Sequence, residues 1–108
     1  AAKACASGAS AGGAEVQVHL CTKEWWEQEE RESRFYLRRH EQDKTYRELV
    51  ELHEEVRDVQ ARQCLAVESA IRCAHRDGFD WLLHIDSDEL LLLPRHRDAR
   101  RFFASVSP

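Results

Sequence analysis

Gly78-Phe79-Asp80-Trp81-Leu82-Leu83-His84-Ile85-Asp86-Ser87-Asp88-Glu89 is the stretch on which the reading of the fold turns. Between Gly78 and Asp86 the chain is nearly continuous in large apolar side chains, too short for a helix and too apolar for a strand with one wet face. Such a run predicts a strand buried on both sides, the character of central parallel strands covered by helices. Gly78 closes the helix before it, because only glycine takes the left-handed position after a helix without penalty. The order helix, glycine, buried strand, carboxylates is half of an α/β unit. Ligands of open α/β sheets sit beyond the carboxyl ends of strands, where Asp86 and Asp88 fall.

Upstream of Gly78, Cys64, Val67, Ala70, Ile71 and Ala74 mark one apolar helix face through residues 60–76, and Arg72, His75 and Arg76 suit its negative end. Before it, Tyr46, Leu49, Val50, His53, Val56 and Val59 recur at three- and four-residue steps, with Asp43 or Thr45 in position to cap. Residues 43–76 contain neither proline nor glycine, so periodicity leaves one long helix or two equally open. Residues 22–40 are dense in charge, with Trp25-Trp26 and Phe35-Tyr36-Leu37 as apolar clusters. Helical turns opening at Thr22 and breaking near His40 are predicted there. Val16, Val18 and Leu20 alternate with polar residues and predict one half-buried strand. Residues 1–14 are small and apolar-poor, which reads as a disordered low-complexity lead to a domain at 15–108.

Downstream, a Leu90–Leu93 run ends at Pro94, and Arg95, Arg97, Arg100 and Arg101 make the end locally basic. The whole chain of 108 residues allows one modest core, and its formal net charge of -4 offers no general attraction for nucleic acid or an acidic membrane. No stretch approaches the apolar length of a membrane span. Cys64 and Cys73 would lie about 13.5 Å apart on one helix, beyond disulfide reach. The histidines form no zinc-binding spacing.

Asp86 and Asp88 supply the hard oxygen ligands that Mg2+ or Mn2+ accepts, with the remaining positions left to water and phosphate. A calcium loop is excluded, since Leu91 replaces the required glycine and Arg97 the bidentate glutamate. Glu89 either orients a hydroxyl or caps the turn.

The segment running from Arg62-Gln63 through Ala70 and Ala74 into Asp80-Trp81 and Asp86-Ser87-Asp88-Glu89-Leu90 resembles the R-Q, G-x-D-W and D-x-D-E pattern of family 2-like and family 92-like glycosyltransferases. The resemblance covers about 30 residues. It implies a partial GT-A-like α/β/α sandwich with few strands, in which Asp86 and Asp88 bind Mn2+ or Mg2+. Arg62 and Gln63 match its helix-borne polar pair and join the carboxylates in holding a nucleoside-diphosphate sugar. The acceptor implied is a glycan or other hydroxyl compound. Residues 1–14 lack the family's opening nucleotide-binding strand, and the 20 residues after Asp88 hold no catalytic base or acceptor segment, so the expectation is an incomplete transferase, inactive alone. The competing expectation is a charge-rich helical interaction or regulatory module, carried by residues 24–58.

Overall fold

A computed structural model describes residues 5–9 and 15–106. The described chain is mostly helical: α1 (Lys23–Glu32), α2 (Arg34–Leu37), α3 (Lys44–Val56), α4 (Val59–Arg76) and α5 (Ala99–Ser105), preceded by strands β1 (Cys5–Ala9) and β2 (Glu15–His19). The two strands pair antiparallel, from Cys5 opposite His19 to Ala9 opposite Glu15. Every residue of β2 is exposed, so the expected half-burial of Val16 and Val18 does not occur. Residues 1–4 and 10–14 of the low-complexity lead lie outside the described residues.

The chain divides into two compact units, Ala1–Ala66 and Val67–Pro108, with the boundary inside α4. In the first, each helix starts on a side chain that accepts an otherwise unpaired backbone N–H. Thr22 Oγ1 accepts from Trp25 at 3.2 Å, and Asp43 Oδ1 accepts from Thr45 at 2.9 Å. Ser33, only 1% exposed, ends α1 by donating its N–H to Glu29 O and opens α2 by accepting from Phe35. Residues 43–76 form two helices. The break is at Arg57, whose φ of 53° is left-handed, and at Asp58, whose carboxylate accepts from Ala61 at 2.9 Å to start α4. No sequence rule marks this break, because arginine is a poor choice for a left-handed residue. Among the described residues of this unit, Trp25, Val50, Ala61 and Leu65 are the buried apolar side chains.

In the second unit α4 ends as expected. Gly78 has φ 78°, its N–H donates to His75 O at 3.3 Å, and the Phe79 N–H donates to Ala74 O at 3.0 Å, the double closure of a Schellman turn. The strand expected next is absent. Residues 79–86 carry no strand pairing, and Phe79, Trp81, Leu82, Leu83 and Ile85 are all exposed, Trp81 at 40%. The expected partial GT-A-like α/β/α sandwich is therefore overturned: the described chain is mostly helical, and its only strand pairing is between β1 and β2. A strand buried on both faces needs neighbours along its edges as well as helices over its faces. Apolar composition expresses a tendency to be buried without supplying those neighbours. What cover the run has includes Phe103 of α5, whose ring centroid lies 5.1 Å from that of Trp81. Asp98 Oδ1 caps α5 by accepting from the Arg101 N–H at 2.8 Å.

Candidate functional site

The acidic triplet forms a tight turn. Glu89 donates its backbone N–H to Asp86 O at 3.0 Å, and the Asp86 N–H donates to Glu89 Oε2 at 2.9 Å. This reciprocal bonding follows the logic of a capping box, with the glutamate three residues on reaching back to the first N–H. It engages one carboxylate oxygen of Glu89 in holding the turn. The side chains of Asp86 and Asp88 stand exposed two residues apart on the same turn. Two hard oxygen donors suit Mg2+ or Mn2+ better than a softer metal. They do not make a dedicated cage, and among the described residues no three His, Cys, Asp or Glu side chains converge as one. The donor set therefore fits a cation that takes most of its ligands from water and phosphate oxygens.

Arg62 and Gln63 lie on α4 in the other unit. Gln63 is exposed, whereas Arg62 belongs to a polar groove of about 440 Å³ whose wall also includes Trp26, Glu30, His53, Glu54 and Arg57. His53 of α3, which also lines that groove, is 3% exposed. Its Nε2 is 2.8 Å from Glu30 Oε1 of α1, and its Nδ1 accepts from Arg62 Nε at 3.4 Å. Accepting at Nδ1 selects the tautomer that carries its proton on Nε2 and donates it to Glu30. Aromatic rings close the arrangement: Trp26 lies 5.0 Å from His53 and Tyr36 6.2 Å, while the Arg62 guanidinium sits 4.9 Å over Trp26. Burial pushes the Tyr36 hydroxyl well above the usual phenol range, and the nearby carboxylates of Glu54 and Glu30 push the same way.

The sequence placed His53 correctly on the inward face of α3. It carried no sign of the link to Glu30, 23 residues away, or to Arg62 across the Arg57 break. Asp86 and Asp88 lie on one turn, and Arg62 and Gln63 fall in a different unit. No helix among the described residues is long and apolar enough to cross a membrane. No protein-family model, curated protein or solved structure matches the chain.

Proposed function

We propose that the turn at residues 86–89 binds a divalent cation together with the diphosphate of a sugar nucleotide, as part of a glycosyl-transfer function. The observation that carries this reading is the closed turn: Glu89 is engaged in holding it, and Asp86 and Asp88, two residues apart on it, remain exposed. The resemblance of residues 62–91 to glycosyltransferase sequences supplies the ligand class. A cation shared between these carboxylates and a diphosphate would neutralise the charge that develops on the leaving group as an acceptor hydroxyl attacks the anomeric carbon. Arg62 and Gln63, in the other unit, are left out of the proposal, and no residue is assigned as catalytic base. Isothermal titration with Mn2+, with UDP or GDP, and with both tests it. Weak Mn2+ binding that either nucleotide strengthens is expected in the wild type, and Asp86→Asn and Asp88→Asn should each abolish the enhancement. Equal heats in wild type and both variants, at unchanged circular dichroism, would remove the site.

A second reading, a helical protein-interaction module, is favoured by the outward face of α3. There Leu52 and Val56 stand exposed among glutamates.

A further inference from the structure

We propose that the chain associates with a second copy of itself, the acidic outer face of α3 in one copy receiving the arginine-rich segment 95–101 of the other. The proposal rests on the interaction-module reading and is independent of the cation site. Val50 and His53 turn the inner face of α3 into the first unit. On the outer face Glu48, Glu51, Leu52, Glu55 and Val56, at steps of three, one, three and one residues, line a shallow hollow of about 310 Å³. Leu52 is 46% exposed and Val56 65%. Of the three carboxylates, Glu51 has a long contact of 3.7 Å with Arg47.

The complementary surface is on the same chain. Residues 95–101 hold four arginines against one acidic residue, Asp98, in a protein whose formal net charge is -4. All four arginines are exposed, and the half-buried Phe102 and Phe103 follow directly. A basic segment ending in aromatic side chains matches an acidic face that holds two aliphatic ones. Each exposed charge pair contributes little by itself, so the contact is weak and its strength falls with salt. The acidic residues repel the acidic remainder of a second copy and favour an arginine-rich stretch; in the other such stretch, residues 31–39, Arg31 already donates to Gln28 and Arg38 to Glu41.

The test is sedimentation velocity over a hundredfold range of protein concentration, at low and at high salt. In the wild type the weight-average mass should rise above that of a monomer as concentration increases, and high salt should reverse the rise. Glu48→Lys/Glu51→Lys/Glu55→Lys and Arg97→Glu/Arg100→Glu should each remain monomeric with unchanged helical circular dichroism. An equimolar mixture of the two variants should associate again, since each then presents the face the other lacks. Nucleotide and Mn2+ binding should be unaffected in both, which separates failure here from failure of the cation site. A wild type that stays monomeric throughout would overturn the proposal. So would association that both charge reversals leave intact, as contact through the exposed apolar residues 79–85 would produce.

Discussion

His53→Ala is the substitution that most directly probes the first unit. The imidazole is 3% exposed, bonds to Glu30 at 2.8 Å, accepts from Arg62 at 3.4 Å and touches the rings of Trp26 and Tyr36. Truncation leaves a ring-sized void, for which about 2–3 kcal/mol is appropriate by analogy with other large-to-small core changes. It also removes a hydrogen bond to a charged carboxylate, typically about 1.5–3 kcal/mol. Because the Glu30 side chain is 29% exposed, water replaces part of that bond, and the lower end applies. The expected loss is about 3.5–4.5 kcal/mol, a large share of the stability of a small domain. Urea unfolding followed by far-ultraviolet circular dichroism measures it, and the near-ultraviolet signal of Trp26 and Tyr36 should weaken as well. Leu52→Ala, one residue earlier on the exposed face, is the control and should cost under about 1 kcal/mol. A His53→Ala loss below about 1 kcal/mol, or one equal to the control, would refute the placement of His53 at the centre of the unit.

Gly78→Ala should cost about 1 kcal/mol in urea melts: an added Cβ would meet no atom within 4 Å, so the cost is that of holding alanine at φ 78°. A neutral or stabilising result would mean that α4 does not end in a left-handed residue. Stability should also fall in acid through two exposed carboxyls. The Arg38 hydrogen bond holds the Glu41 carboxyl below its usual range, and the backbone N–H of Thr45 does the same for Asp43. A carboxyl depressed in the folded state contributes its stability above the unfolded value and loses it as pH falls through the folded one. Melting temperatures from neutral pH to about pH 2 should therefore decline less in Glu41→Gln/Asp43→Asn than in the wild type, and identical slopes would contradict the assignment.

Local rules succeeded where the interaction is itself local. Thr22, Asp43 and Gly78 mark helix ends because each acts on backbone groups within a few residues, through a side-chain acceptor or a left-handed φ. The inward face of α3 was legible in part: Val50 and His53 of the expected stripe are buried, whereas Val56 on the same stripe is 65% exposed. The acidic turn was half legible: the sequence placed Asp86 and Asp88 together, while the engagement of Glu89 with the Asp86 N–H followed from the turn geometry.

Two outcomes depended on tertiary structure alone. The run at 79–85 has the composition of a central strand, but pairing requires hydrogen-bond partners from elsewhere in the chain, and among the described residues none pairs with it. Arg57 and Asp58 divide what periodicity left open as one helix or two, with an arginine held left-handed where no residue type announced a break. That break is followed by Arg62 reaching His53 and Trp26, and α1 brings Glu30 to the same imidazole from 23 residues away. Helix ends are written in neighbouring residues. Burial and side-chain partnership are decided by which distant surfaces meet, and that is a property of the folded chain.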